Sequence, residues 1–330
     1  MTISLVTGAN GHLGNNLVRT LAKQGHTVRA GMRNLNNAGT LDDVACDIVH
    51  CDMLDPDSLA KALAGVDILY HVAAVFKHWA QDEEAEIVQP NILGTRLVLQ
   101  AAKAAGVKRV VYVSSIVALE QNHRNQQGEI LLDSYNESDQ LNPYCRAKTQ
   151  AEQEAWRVAK QLELDMVTVL PSTILGGEYK PQTESLNAFS AIVNNQMPFL
   201  YSLYLSPIDV DDVVQGMIAA ASLGQNGERY VLANSEIIST AEILKIASEV
   251  NPDFSAPKVL TAEEIYALAD QAEAKAKQTQ TRPTLLRSNI KRTLDIEFLF
   301  DLSKSKQQLN FNPKPAQQVV RETMQALVQA

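Results

Sequence analysis

The period of hydrophobic and polar positions switches repeatedly along the first half of the chain. Ile3-Ser4-Leu5-Val6-Thr7 is a short β-type run; glycines follow, and then Leu13, Leu17, Val18 and Leu21 recur at the spacing of one helix face. A second strand is expected over Thr27–Met32. Strand, turn, helix and strand in that order open a parallel sheet, because parallel neighbours need a helical crossover between them. The alternation continues with strands expected over 48–51, 67–72, 109–114 and 165–170, and helices over 57–63, 92–105 and 143–162. Six or seven such repeats imply an α/β fold, a doubly wound parallel sheet with helices on both faces.

After Pro171 the pattern changes. Gly176-Gly177, Pro181 and Pro198 interrupt a polar, weakly periodic stretch that runs to Pro207 and is expected to leave the sheet. A helix over 210–223 and a strand over 229–233 bring the chain back, and a mostly helical tail follows. It includes an Ala-, Glu- and Lys-rich helix over 262–277, expected to be a solvated amphipathic helix that closes the smaller domain. The expected organisation is a nucleotide-binding domain from residues 1–175 and 208–233. Residues 176–207 and 234–330 form a smaller, mostly helical, discontinuous substrate domain.

Composition narrows the partners. Of 330 residues, 45% are hydrophobic and 20% charged, a profile that excludes disorder, collagen and coiled coil. The formal charge of −9 argues against a nucleic-acid partner, whose phosphates would be repelled. No apolar run approaches the roughly 18–20 residues that span a bilayer, and the first residues lack a basic start and an apolar stretch, so a cytoplasmic location is expected. Three cysteines, Cys46, Cys51 and Cys145, without a CxxC or a His-rich cluster, read as reduced thiols, with no metal site.

Three groups of residues carry chemistry. The first is Thr7-Gly8-Ala9-Asn10-Gly11-His12-Leu13-Gly14, between a strand and a helix. A dinucleotide pyrophosphate needs a turn with no side chain in its path and a helix N-terminus aimed at it. Glycines at this spacing supply the approach and free N–H groups the attraction, which defines the sheet as a Rossmann sheet. At the end of the second strand an acid would bind the ribose hydroxyls of NAD, but the sequence there is Gly31-Met32-Arg33-Asn34. Arg33 offers the guanidinium that a 2′-phosphate prefers, so NADP(H) is the expected cofactor. Asp52 is a candidate for the adenine amino group and equally for a loop cap.

The second group is Tyr144-Cys145-Arg146-Ala147-Lys148. Tyr and Lys four apart share one helix face, so an amine can lie beside a phenol and stabilise its phenolate. An unassisted phenol titrates near 10 and is a poor acid–base catalyst at neutral pH. The third group is Ser114-Ser115, hydroxyls at a strand end where open α/β sheets place their ligands.

Together with His71-Val72-Ala73-Ala74, Asn91-x-x-Gly94-Thr95, Tyr112-Val113-Ser114-Ser115 and Pro207-Ile208-Asp209-Val210-Asp211-Asp212-Val213, these motifs resemble an extended short-chain dehydrogenase/reductase of the epimerase/dehydratase superfamily over roughly residues 1–235. Val28-Arg29-Ala30-Gly31-Met32-Arg33 is similar to the dihydroflavonol reductase branch. Phe76-Lys77-His78-Trp79 and Pro171-Ser172-Thr173 resemble its bacterial relatives, some of which carry the name hopanoid-associated sugar epimerase. The resemblance implies that Tyr144 exchanges a proton with the substrate oxygen, Lys148 contacts the nicotinamide ribose, Ser115 holds the carbonyl and Asn91 supports a water relay. Cofactor contacts would come from Thr7, Gly8, Asn10, Gly11, His12, Leu13, Gly14, Arg33, Asp52, Met53, Val72, Ala73, Ala74, Ser114, Tyr144, Lys148, Pro171 and Thr173.

Substrate contacts would come from Phe76, Trp79, Ser115 and Tyr179. Phe189, Phe199, Tyr201 and Tyr204 divide evenly between substrate wall and small-domain core. The family often has Arg before the Pro at 171, where this chain has Leu170. Ile116-Val117-Ala118-Leu119 replaces the Val-Tyr-Gly ending of sugar-nucleotide epimerases, and no Asp-Glu pair of the dehydratases flanks the hydroxyl. The leading reading is an NADPH-dependent carbonyl reductase acting on a small-molecule ketone or aldehyde, as a monomer or homodimer. The alternatives are an NAD-retaining sugar or nucleotide-sugar epimerase or dehydrogenase, and a non-catalytic NADP-binding sensor, against which the presence of both Tyr144 and Lys148 argues.

Overall fold

The computed structural model describes residues 2–139 and 142–328. The first half runs β1 (Ile3–Thr7), α1 (His12–Lys23), β2 (Thr27–Met32), β3 (Asp47–His50), α2 (Pro56–Leu63), β4 (Ile68–His71), α3 (Gln89–Ala104), β5 (Arg109–Val113), α4 (Pro143–Leu162) and β6 (Met166–Pro171). A single π turn, Glu84–Val88, leads into α3, and a 3₁₀ turn, Ile116–Ala118, follows β5. The second half contains β7 (Thr173–Leu175), α5 (Glu184–Val193), β8 (Phe199–Tyr201), β9 (Tyr204–Leu205), β10 (Pro207–Asp209), α6 (Val210–Leu223), β11 (Arg229–Leu232) and β12 (Ile238–Ser239). The chain then continues through α7 (Thr240–Val250), β13 (Lys258–Leu260), α8 (Ala262–Thr279), α9 (Arg287–Thr293), α10 (Ser303–Leu309) and α11 (Ala316–Leu327).

Seven strands form one parallel sheet in the order β3-β2-β1-β4-β5-β6-β11. Successive side chains on each strand face opposite ways. Val6, Tyr70, Val111 and Val167 meet Leu17 and Leu21 of α1 and Val213 and Met217 of α6 on one face. Leu5, Leu69, Val110, Tyr112 and Met166 meet Leu59 of α2, Val98 and Leu99 of α3, and Ala155 and Val158 of α4 on the other. Both faces are covered, as the doubly wound pattern requires. The chain reverses its lateral direction between β1 and β4, and the crevice at their carboxyl ends is where such sheets take ligands.

A smaller core forms from α5, α7 and α11, with Phe189, Ile192, Ile243, Ile246, Val320 and Met324. The chain leaves the sheet and returns where the sequence expects, and helices 143–162 and 210–223 have the expected bounds. Part of the tail packs back onto the sheet domain: Phe298, Phe300 and Leu302 lie against Leu170 and Val231, and Leu309 and Phe311 join the α1–α6 face. No helix of the described residues is long and apolar enough to cross a membrane.

Candidate active site

The glycine turn joins β1 to α1. Gly8 has a φ of +67°, which favours glycine, and a Cβ there would stand 3.0 Å from the Ala73 backbone. A Cβ on Gly14 would fall 2.3 Å from the Gly8 carbonyl oxygen, so the helix can start this close to the strand only with glycine. Gly11 caps α1 with no side-chain acceptor, which leaves the first N–H groups of the helix free to meet an anion. These residues fit a dinucleotide pyrophosphate. The side chains of Thr7 and His12 bond within the protein. The Thr7 Oγ1 accepts the N–H groups of Val72 and Ala73, each at 3.1 Å, and bonds His71 Nδ1 at 2.9 Å; His12 Nε2 donates to the Gly176 carbonyl at 2.9 Å.

Arg33 is exposed at the end of β2 and makes no hydrogen bond or ion pair with any described residue. Asp52 uses Oδ1 to accept the Leu54 N–H at 2.9 Å, the loop cap weighed above, which leaves its other oxygen available. Met53 packs against Gly94 of α3, where a Cβ would come within 2.7 Å of its sulfur.

At the carboxyl end of β5 the two serines part company. Ser114 Oγ donates to Glu152 Oε2 at 2.6 Å, and that fully buried carboxylate is clasped by Arg229 at 2.7 and 3.1 Å. The Ser114 hydroxyl is therefore committed within the protein. Ser115 caps the 3₁₀ turn, its Oγ accepting the Val117 N–H at 3.4 Å, and its hydroxyl acts to lower the pKa of the Tyr144 phenol. Tyr144 stands in the first turn of α4 because Asn142 accepts the N–H groups of Tyr144 and Cys145 at 3.0 and 3.1 Å, with Pro143 at the first helical position. The Asn-Pro pair was a readable helix start that the motif analysis left unused.

Burial pushes the Tyr144 phenol up to about 12, while the Ser115 hydroxyl and the charge of Arg292 pull the other way. Lys148, one turn along α4, donates to the Val113 carbonyl at 3.2 Å, and burial pulls its ammonium down to about 8. Lys148 is thus anchored at the carboxyl end of β5, one turn along α4 from the phenol. Asn91 spends its carboxamide on the backbone: Oδ1 accepts the Val75 N–H at 2.9 Å, and Nδ2 donates to Val75 and Ile87 carbonyls at 3.1 and 2.8 Å. It thereby ties the π turn to the 75–79 segment.

That segment covers Tyr144. The Phe76 ring meets it edge-on with centroids 4.8 Å apart, and His78 lies 4.9 Å away. Trp79 lines a cavity of about 1130 Å³ between this segment and α8–α9, with Pro143, Tyr266 and Leu286 among its walls. Phe76 and Trp79 line a second, of about 570 Å³. Tyr179 is held elsewhere, its backbone bonded to Asn16 of α1. Phe189 is core; Phe199 and Tyr201 pack with Ile265 and Leu294, and the Tyr201 hydroxyl bonds Thr293 at 2.8 Å. Leu170, where the family often has arginine, is buried among Leu119, Phe298 and Phe300. His78 is a site residue that sequence reasoning missed; it sat unweighed in a quoted motif.

A parallel sheet with a glycine turn at its switch point, a serine just past the neighbouring strand and a tyrosine and lysine one turn apart on the following helix define the class of dinucleotide-binding enzymes. The chain belongs to the NAD dependent epimerase/dehydratase family, whose model matches residues 4–233. It is 36% identical over 239 residues to a Synechocystis protein provisionally named dihydroflavonol 4-reductase, covering 70% of this chain and 68% of that one. A cinnamoyl-CoA reductase of Medicago truncatula is 27% identical over 307 residues, covering 88% and 94%. The crystal structure of gox2253 superposes with a TM-score of 0.82 at 30% identity, covering 98% and 97%. The family, its nicotinamide cofactor and its oxidoreductase chemistry, in the branch of extended short-chain dehydrogenases like dihydroflavonol reductase, agree with the motif reading.

Proposed function

We propose that the protein is an NADPH-dependent carbonyl reductase. The observation that carries this is the placement of Ser115, just beyond the carboxyl end of β5, with Tyr144 and Lys148 on one face of the first turns of α4, beside the glycine turn. The bound cofactor would supply hydride to a ketone or aldehyde carbon. Ser115 holds the substrate oxygen and Tyr144 donates its proton to that oxygen. Lys148, already desolvated, lies one turn further along the same helix to bind the nicotinamide ribose and ease the phenol's proton loss. Asn91 fixes the segment that carries Phe76 over the site, and Gly8, Gly11 and Gly14 admit the pyrophosphate to α1. Arg33, exposed and unpaired, receives the 2′-phosphate.

The test is a paired titration of nucleotide-free protein with NADPH and NADH, read by tryptophan fluorescence and followed by NADPH oxidation with a panel of ketones and aldehydes. NADPH should bind at least about tenfold tighter, about 1.4 kcal/mol, and Arg33→Ala should erase the difference. An NADH preference, or tightly held NAD with no net oxidation, would favour the hydride-returning epimerase reading instead.

A further inference from the structure

Glu152 is a carboxylate with no exposed surface, midway along α4, and it has no part in the proposed transfer of hydride or proton. Replacing a buried ion pair by apolar residues is often neutral for stability, so what such a pair fixes matters more than what it stabilises. Arg229, at the start of β11, grips the carboxylate with Nε to Oε1 at 2.7 Å and Nη2 to Oε2 at 3.1 Å. Ser114 Oγ donates to Oε2 at 2.6 Å, and Trp156 Nε1 donates to Oε1 at 3.4 Å. The guanidinium also lies over the Tyr135 ring, 4.5 Å from its centroid.

Contacts run from this pair to both sides of the candidate site. Tyr144, Lys148 and Glu152 are spaced by four along α4 and so share one side of the helix. Lys148 donates to the Val113 carbonyl at 3.2 Å, and Glu152 holds the next residue, Ser114, so successive residues at the end of β5 are tied to successive turns of α4. In the other direction, Arg229 Nη1 donates to the Leu132 carbonyl. Four residues on, Asn136 donates through Nδ2 to the Val117 carbonyl at 2.8 Å and through its backbone N–H to the Ala118 carbonyl at 2.9 Å. Val117 and Ala118 belong to the turn that Ser115 caps. One guanidinium–carboxylate fork thus anchors the helix that carries Tyr144 and Lys148, the strand end, and the segment that braces the Ser115 turn.

We propose that Glu152 and Arg229 are positioning residues: their buried pair fixes the register of α4 against the end of β5 and so sets where Lys148 and Tyr144 stand relative to the nicotinamide half of the cofactor. Reach and fork are what the geometry uses. Aspartate at 152 keeps the charge but is one methylene short of holding Ser114 and both guanidinium nitrogens from the same backbone, and lysine at 229 keeps the charge without the planar pair of donors. A misplacement on the order of 1 Å costs about 10²-fold in rate. The glycine turn between β1 and α1, which serves the pyrophosphate, makes none of these contacts and stays in place.

The inference rests on the reductase reading for the roles of Tyr144 and Lys148, and the experiment separates the two. Affinities for NADP⁺ and for 2′,5′-ADP, which lacks the nicotinamide ribose, are measured by calorimetry in wild type, Glu152→Asp and Arg229→Lys. NAD⁺ against ADP gives the same comparison without the 2′-phosphate, and NADPH oxidation is followed with a panel of ketones and aldehydes. Both variants should bind the fragments within about twofold of wild type, bind the whole dinucleotides at least about fivefold more weakly, and lose at least about tenfold in kcat. The double variant Glu152→Met with Arg229→Met leaves neither charge unpaired, and it carries the test with the same expected losses if a single variant does not fold. Equal weakening of fragment and dinucleotide, or unchanged binding of both with kcat within about twofold of wild type, would overturn the proposal while leaving the reductase reading intact. Selective weakening of the whole dinucleotides, in a protein whose wild type oxidises NADPH with none of the carbonyls, would keep the positioning role and refute the reductase.

Discussion

At the scale of single residues, the two adjacent serines are the sharpest distinction. The family resemblance favours Ser115 over Ser114, no argument from the sequence itself separates them, and the structure gives them different surroundings. Val110 and Tyr112 face α3 and α4, and Ser114 keeps that parity and meets Glu152 of α4. Ser115 falls on the next position, beyond the strand, and caps the 3₁₀ turn by accepting the Val117 N–H. In the proposed reading, removing Ser115 should cost chemistry: Ser115→Ala is expected to lower kcat about 10²-fold, as losing one donor to a developing oxyanion does. Ser114→Ala should leave kcat near wild type and lose about 2 kcal/mol of stability, because it strips one bond from a buried carboxylate. Steady-state kinetics beside urea denaturation checks both, and an exchange of the two phenotypes would reverse the assignment. His78 shows the opposite limit, since only the path of the segment after β4 over the start of α4 makes it a neighbour of the phenol.

At the scale of elements, the strands, the helices and the glycine turn were legible because each has a local cause: period, breaker or absent Cβ. The tie between β1 and β4 was not, because it depends on two strands brought together across the sheet switch. The Thr7 hydroxyl already accepts two N–H groups, so its own proton goes to His71 Nδ1, which must be unprotonated. Burial and Lys148 hold the His71 imidazolium down to about 3. An unfolded histidine titrates near 6.5, so between these values the unfolded state carries the extra proton and stability rises with pH. The contribution is complete above about pH 6.5 and is lost as pH falls, by about 1.4 kcal/mol per unit. Urea denaturation between pH 6.5 and 5 should show this slope, and His71→Gln, which lacks the ionisation, should flatten it. An unchanged slope in the variant would place the sensitivity elsewhere.

At the scale of the whole molecule, the sequence marks where the periodic pattern breaks at Pro171 and resumes at 210, and α6 begins there. It does not mark the paths of α8 and α9, since amphipathic helices specify a buried face and not the surface that will cover it. Their placement nonetheless matters most for specificity. They wall the 1130 Å³ cavity beside Trp79, next to a candidate site otherwise built by the first 150 residues. In the proposed reading the chemistry belongs to the sheet domain, and the tail would bear on the choice of substrate.

The central claim is that hydride goes to a carbonyl carbon while Tyr144 supplies the proton. It is tested most directly by following deuterium from [4-²H]NADPH in wild type and Tyr144→Phe. Wild type should place one deuterium on the carbinol carbon of a reduced ketone. The phenylalanine variant should transfer none at a detectable rate while binding NADPH nearly as tightly. Equal transfer by the variant, or deuterium that returns to the nicotinamide without net oxidation, would contradict it.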